Sequence, residues 1–219
     1  PADLADLEHK LGGVYERRGD GELAERHFAA ALAAAGDEGP AGLRARVLAD
    51  WSLTAHHRGQ MSRAQDLAGQ ALALAEAAGD QPALAQAHNI LGILASSGGD
   101  LAGAQFHLQR SLALAEALGD VPAQAAALNN LALAHSAGDQ MSEAISFTER
   151  ALALSTAVGD RHREAALHNN LADLLHACGQ REAAMSHLKQ AVGLFAEIGL
   201  EEGEPAARWQ PAIWKLTEW

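Results

Sequence analysis

The side chains in this sequence that are best suited to binding a ligand are asparagines recurring at one position. They fall in three consecutive stretches spaced 40 residues apart: Asn89, Asn129, Asn130, Asn169 and Asn170. An amide offers both a donor and an acceptor, so it can pair with the N–H and C=O of a peptide unit whatever side chain that unit carries. The chemistry that this pattern predicts is recognition of an extended backbone.

The eleven histidines could suggest a metal site, but their spacing argues against one. His56 and His176 occupy the same position in two segments that are three 40-residue intervals apart. At about 10 Å per stacked pair of helices, the two side chains would lie roughly 30 Å from each other, whereas a zinc ligand lies within about 2.1 Å of the ion. Other histidines recur on apolar stripes, where packing explains them: His27, His88, His107, His168 and His187. We expect no metal and no cofactor.

Catalysis is not expected either. The sequence contains no phosphate-binding loop, nucleophile elbow, metalloprotease motif or dinucleotide fingerprint. Cys178 is the only cysteine, so an idle or buried thiol is favoured over redox sensing, and a reducing compartment such as the cytoplasm is expected. The net charge of -12 would repel a phosphate backbone, and no apolar run reaches the ~20 residues of a membrane span.

The elements that position these side chains are set by an internal repeat of 40 residues. Alanine recurs at Ala24, Ala64, Ala104, Ala144 and Ala184, and glycine recurs at Gly79, Gly119, Gly159 and Gly199. Each repeat divides into two segments with helical periodicity, which predicts five helical hairpins over residues 4–40, 41–80, 81–120, 121–160 and 161–200. Glycine caps at Gly79 and Gly119, followed by N-caps at Asp80 and Asp120, are expected to separate the hairpins.

These residues resemble the tetratricopeptide repeat family. Leu11, Gly12 and Tyr15 fit the pattern of its first helix, and Ala24, Phe28 and Ala31 fit that of its second. The tryptophan-like position departs from the pattern, and Thr148 replaces a large apolar residue. The longer repeat is similar to that of kinesin light chains, spindle-orientation adaptors and bacterial signalling ATPases. The resemblance implies an all-α, right-handed α-solenoid with a concave groove that binds a protein or peptide.

The asparagines are expected to line that groove together with an apolar strip and two polar ends. The strip includes Ile93 and Leu133, one end carries Asp173 and His176, and the other carries Asp50 and His56. Neighbouring helices pack ~8–10 Å apart and an extended peptide advances ~3.3 Å per residue, so one asparagine could meet every third ligand residue. Some members of the family instead use asparagine here to bridge adjacent helices, and the sequence leaves both roles open.

Residues 205–219 are predicted to form a closing helix, since Trp209, Ile213 and Leu216 follow Pro205 at helical spacing. Docking of a partner on these aromatic side chains is the alternative.

We interpret the sequence as a binding module, the regulatory or partner-sensing part of a larger signalling or transcription-regulatory protein. The alternative is a structural adaptor that self-associates into a homo-oligomer through its edges or its tryptophan-rich end.

Overall fold

The computed structural model describes residues 2–202, and all regular elements in this range are α-helices. The helices are α1 (Ala2–Arg17), α2 (Gly21–Ala35), α3 (Ala41–His57), α4 (Met61–Ala78), α5 (Gln81–Ser97), α6 (Leu101–Leu118), α7 (Val121–Ala137), α8 (Met141–Val158), α9 (Arg161–Ala177) and α10 (Arg181–Glu202). They pair into five hairpins, so the predicted all-α solenoid of helical hairpins is confirmed. The predicted closing helix at 205–219 lies outside the described residues.

The chain divides into two compact units, one up to Ala123 and one from Gln124. The first unit holds the hairpins α1–α2, α3–α4 and α5–α6. The second holds α7–α8 and α9–α10, and the division falls in the first turn of α7. A second helix packs against the first helix of the next hairpin in the same unit as well as against its own partner: α4 contacts both α3 and α5, and α8 contacts α9.

Small residues allow the two helices of a hairpin to approach closely. A Cβ placed on Gly12 would lie 2.4 Å from Cε1 of Phe28, and one placed on Gly92 would lie 2.5 Å from Cγ of Leu108. Both of these larger side chains are completely buried. The glycines on the first helices therefore make room for large side chains on the second, as the repeat pattern predicts.

The predicted boundaries between hairpins carry the expected caps. Gly79 and Gly119 are left-handed, with φ of 63° and 65°, and end α4 and α6. Asp80 accepts a hydrogen bond from the backbone N–H of Ala83 at 2.9 Å, and Asp120 accepts one from Ala123 at 3.0 Å. These interactions satisfy backbone donors that the first turn of a helix would otherwise leave unpaired.

The core of the first unit is built largely from alanine and leucine. One cluster joins α2 to α3 through Phe28, Ala31 and Val47, and another joins α4 to α5 through Ala68, Ala71 and Leu94. Buried hydroxyls are satisfied locally: Ser52 donates to the carbonyl of Ala64 at 2.7 Å, and Ser111 donates to that of Ala85 at 2.8 Å. In the second unit, Leu171, Leu175 and Ala184 form a corresponding cluster between α9 and α10.

Candidate functional site

The candidate site lies in the second unit, where α7 and α9 face each other. Asn170 on α9 donates a hydrogen bond from Nδ2 to Oδ1 of Asn129 on α7, at 2.9 Å. Two clefts open beside this pair, and both asparagines line each of them. Asn129 and Asn170 therefore lie together between neighbouring first helices of the second unit.

One cleft, of about 100 Å³, extends toward the carboxyl ends of α7 and α9. It combines an apolar wall with a carboxylate, and its lining includes Ala132, Leu133, Ser136, Asp173 and Leu174. The Leu133 side chain is 50% exposed, although it stands in an otherwise buried stretch of helix. This cleft can offer apolar contact beside a hydrogen-bond acceptor.

The other cleft, of about 440 Å³, extends toward the start of α9. Asn129, Asn130 and Asn170 form its amide side, and Ala126, Ala166 and Leu167 form its apolar side. Its far edge is charged, because Asp160, His162 and Arg163 line it. Asp160 is also the N-cap of α9 and accepts from the backbone N–H of Arg163 at 3.1 Å.

The corresponding helix faces in the first unit are joined by other polar side chains. Asp50 on α3 accepts a hydrogen bond from Nε2 of His9 at 2.7 Å and one from Nε2 of Gln86 at 2.5 Å, which ties α3 to both α1 and α5. His56 Nε2 lies 2.8 Å from the hydroxyl of Ser97, so it joins α3 to α5 as well. Asp50 and His56, predicted as contacts at the mouth of the groove, thus form bridges between helices.

The remaining predicted site residues fall in three places. Asn89 and Ile93 are half-buried on α5 in the first unit. Asn169 lies beside the second unit's clefts, with its Nδ2 3.4 Å from a carboxylate oxygen of Asp173. His176 is half-buried at the end of α9 and is not among the residues lining the two clefts.

The structure adds His162 and Arg163 to the predicted set. The sequence signal that could have identified them is the N-cap pattern at Asp160, which places both in the first turn of α9. The prediction used only the spacing of the asparagines. It did not include the charged edge, because that edge lies about two turns before Asn170 along α9.

Two histidine pairs lie inside hairpins. The Nδ1 atoms of His88 and His107 are 3.0 Å apart, and those of His168 and His187 are 2.9 Å apart. One ring of each pair must donate its N–H while the other accepts as a neutral imidazole. Burial, followed by the facing histidine, lowers the pKa of His88 and of His168, and burial lowers the pKa of His107. These pairs belong to the hairpin interior and do not reach the clefts.

Two further findings apply to residues 2–202. No group of three or more His, Cys, Asp or Glu side chains in this range is placed to hold a metal ion. No helix within the described part of the chain is long and apolar enough to cross a membrane.

Paired helices repeated every 40 residues, with clefts between the first helices α7 and α9, define an α-solenoid repeat protein, a class that offers extended surfaces for binding other proteins. Residues 123–197 match the tetratricopeptide repeat model. This segment is therefore assigned to the tetratricopeptide repeat family, and the helical hairpins before it share the same 40-residue repeat. No curated protein sequence matches the chain.

Solved structures share the fold at low sequence identity. BtubC (BKLC) from P. vanneervenii is similar with a TM-score of 0.74 and 19% identity, over 90% of this chain and 82% of that one. A Rap protein complexed with competence and sporulation factor is similar with a TM-score of 0.79 and 19% identity, over 88% of this chain and 54% of that one.

A third similar structure is a signal transduction ATPase with numerous domains and a tetratricopeptide repeat sensor, from Pyrococcus horikoshii. Its TM-score is 0.74 at 14% identity, over 91% of this chain and 31% of that one. This chain therefore spans less than a third of the ATPase and about half of the Rap protein.

Proposed function

We propose that the clefts between α7 and α9 bind an extended segment of a partner protein. The observation that carries this proposal is the convergence of Asn129, Asn170 and Leu133 on one open concave surface. Amides beside an apolar side chain suit a peptide, because the amides pair with its backbone while the apolar wall contacts one of its side chains.

The hydrogen bond between the two asparagines leaves them able to bind a ligand. It uses one of the two N–H groups of Asn170 and one lone pair on Oδ1 of Asn129. The bond fixes both side chains before a ligand arrives, so fewer rotamers have to be ordered on binding. The bridging role and the binding role of asparagine are therefore compatible in this pair.

The charged residues at the ends of the clefts bear on the orientation of a bound peptide. Arg163 stands at the end near the start of α9, and Asp173 stands toward the other end. Arg163 is already paired with Asp160 at 3.6 Å, so the carboxylate of Asp173 is the stronger determinant, and a bound segment with a basic residue near Asp173 would complement it. This arrangement supports one orientation of the peptide over its reverse.

We further propose that the chain is the partner-sensing part of a larger signalling or transcription-regulatory protein. The similar ATPase carries its tetratricopeptide repeats as a sensor within a longer chain, and the similar Rap protein was solved in complex with competence and sporulation factor. Both likenesses concern the fold, and the proposal extends them to function.

The test is selection of ligands from a random peptide library displayed on phage, using the whole 219-residue chain. The strongest synthetic peptide is then measured by fluorescence anisotropy against wild type and an Asn129→Ala/Leu133→Ala variant. We expect binding to weaken by at least about tenfold, since one hydrogen bond and one apolar contact are lost.

The matched control is Gln190→Ala/Val158→Ala, which removes an exposed amide on α10 and an apolar side chain on α8 that is 51% exposed. Peptide affinity should stay at the wild-type value in this variant. A library without binders, or equal affinity for wild type and the cleft variant at unchanged helicity, would refute the cleft as the binding site.

A further inference from the structure

The apolar strip on the first helices ends in a carboxylate. One repeat position holds Leu53 on α3, Ile93 on α5, Leu133 on α7 and Asp173 on α9. Leu53 and Ile93 are half-buried and pack against the cluster that joins α4 to α5. Leu133 and Asp173 are both exposed, although the residues on either side of each are buried. In the second unit, this position therefore offers a leucine and a carboxylate to a ligand.

Leu133 and Asp173 face the same cleft from neighbouring helices. Leu133 follows Asn129 by four residues and Asp173 follows Asn170 by three, so each lies about one turn beyond one member of the asparagine bridge. Both side chains line the cleft of about 100 Å³. A segment whose backbone lies on the two asparagines therefore has its own side chains within reach of the leucine and the carboxylate.

The distance between the two helices sets the spacing of the ligand residues. Neighbouring helices pack ~8–10 Å apart, whereas alternate residues of an extended chain point to the same side at intervals of about 6.6 Å. The side chains that meet Leu133 and Asp173 would thus come from residues separated by one other residue. A lysine or arginine covers the remaining distance, because its charged group stands at the end of a long flexible stem.

We propose that the cleft is specific for an extended segment in which an apolar and a basic residue are separated by one residue. The apolar side chain contacts Leu133, and the cation pairs with Asp173. This inference rests on the proposed function, because it assigns a sequence class to the peptide that we place in the cleft. Asp173 determines the specificity, since a leucine at its position, as on α7, would favour a second apolar side chain instead.

The charge of Asp173 favours a cation over a neutral donor. A hydrogen bond between charged groups is roughly twice as strong as one between neutral groups. Nδ2 of Asn169 lies 3.4 Å from one oxygen of this carboxylate. A carboxylate can accept about four hydrogen bonds, so a contact of this kind does not prevent it from accepting one from a ligand. The net charge of -12 acts in the same direction, because it attracts basic segments and repels acidic ones.

The test compares the peptides that the whole 219-residue chain and its Asp173→Lys variant select from the random library. Wild type should enrich peptides with an apolar and a basic residue at the stated spacing, and the variant should enrich an acidic residue in place of the basic one. Glu149→Lys is the control, since it makes the same change of charge at an exposed position on α8 that lines neither cleft. It should select the wild-type pattern.

Two capped synthetic peptides then measure the effect by fluorescence anisotropy: the strongest wild-type binder, and the same sequence with glutamate in place of its basic residue. Wild type should bind the glutamate peptide at least about fivefold more weakly, and Asp173→Lys should reverse the order. Asp173→Asn, which keeps the shape of the side chain, should narrow the difference without reversing it. The difference should also shrink as the salt concentration rises.

The outcomes separate this inference from the proposed function. Peptides that lose affinity for Asn129→Ala/Leu133→Ala but lack a basic residue at this spacing would retain the cleft as the binding site and overturn its specificity for a cation. Peptides that bind wild type, Asp173→Lys and Asp173→Asn equally would do the same. A reversal of the order by Glu149→Lys would attribute the preference to net charge and overturn the role of Asp173. A library without binders would refute both proposals.

Discussion

Asn170 lies 41 residues after Asn129 and donates a hydrogen bond to it across the gap between α9 and α7. The same separation joins His9 to Asp50 between α1 and α3, and His56 to Ser97 between α3 and α5. Polar bridges between successive first helices therefore recur along the repeat, with different residue types performing the same task. The position that we propose for ligand binding also holds adjacent hairpins together.

The bridge between Asn129 and Asn170 should have a measurable effect on stability. We expect Asn170→Ala to lower the free energy of unfolding by about 1 kcal/mol, because it leaves a partly buried amide with one partner fewer. Urea denaturation of Asn129→Ala, Asn170→Ala and the double variant would give the coupling energy between the two side chains. Asn169→Ala, beside it in sequence, should have a smaller effect, since its contact with Asp173 is exposed and 3.4 Å long. Equal losses of stability in Asn170→Ala and Asn169→Ala would argue against a specific bridge.

Two glycines in helix interiors are expected to respond to alanine in opposite directions. Gly12→Ala should destabilise the chain by about 1–3 kcal/mol, because the new Cβ would overlap the buried ring of Phe28. Gly69→Ala should stabilise it by about 0.5–1 kcal/mol, since a Cβ there meets nothing within 4 Å and alanine is the better helix former. Urea denaturation distinguishes the two. A loss at Gly69, or no loss at Gly12, would contradict the packing described here.

The sequence predicted this close packing because small and large residues alternate at fixed repeat positions. It also predicted the caps, since Gly79 and Asp80 are adjacent and each has one strongly preferred backbone role. The bridges were harder to predict. Asp50 reaches both His9 and Gln86 only through particular rotamers on three helices, and periodicity carries no rotamer information. The charged edge at Arg163 was missed for a related reason, because it depends on the direction in which a first-turn side chain points.

Asp139 is the one non-glycine residue within residues 2–202 that has a positive φ, at 58°. The equivalent turn position is glycine in the other four hairpins, including Gly179 with φ of 76°. Asp139→Gly should therefore stabilise the chain by about 1 kcal/mol, because glycine adopts the left-handed region without a Cβ penalty. The reverse change, Gly179→Asp, should cost a similar amount. Thermal unfolding of the two variants is the measurement, and shifts of the same sign would contradict the explanation.

His135 fills the aromatic position of α7 and contacts Phe147, with ring centroids 5.1 Å apart. The side chain is 8% exposed, and neither ring nitrogen has a hydrogen-bond partner. Leucine occupies the equivalent position of the next hairpin, at Leu175. His135→Leu should raise the free energy of unfolding by about 1–2 kcal/mol, because it removes buried polar atoms that are unsatisfied. A loss of stability in urea denaturation would show that the imidazole has an interaction that leucine cannot replace.

The paired histidines should make the hairpins sensitive to acid. In the first unit, His88 faces His107, with Arg110 and Glu76 acting on the former and Asp100 on the latter. Since the folded pKa of both histidines is lowered from 6.5, the unfolded chain binds protons more readily. The contribution to stability is fully present above about pH 6.5 and is lost as the pH falls through that value toward the folded pKa.

The second hairpin supplies the substitution that isolates this effect. Leu48 and Leu67 occupy the positions of His88 and His107 there, and both are buried in one cluster. A His88→Leu/His107→Leu variant should therefore fold, and its melting temperature should fall less than that of wild type between about pH 7.5 and about pH 5.5. His168 in the fifth hairpin, whose pKa is also lowered, remains in this variant, so part of the acid sensitivity should persist. Identical pH profiles for the variant and wild type would show that carboxylates or other histidines set the acid response, because the removed pair is the only difference between the two chains.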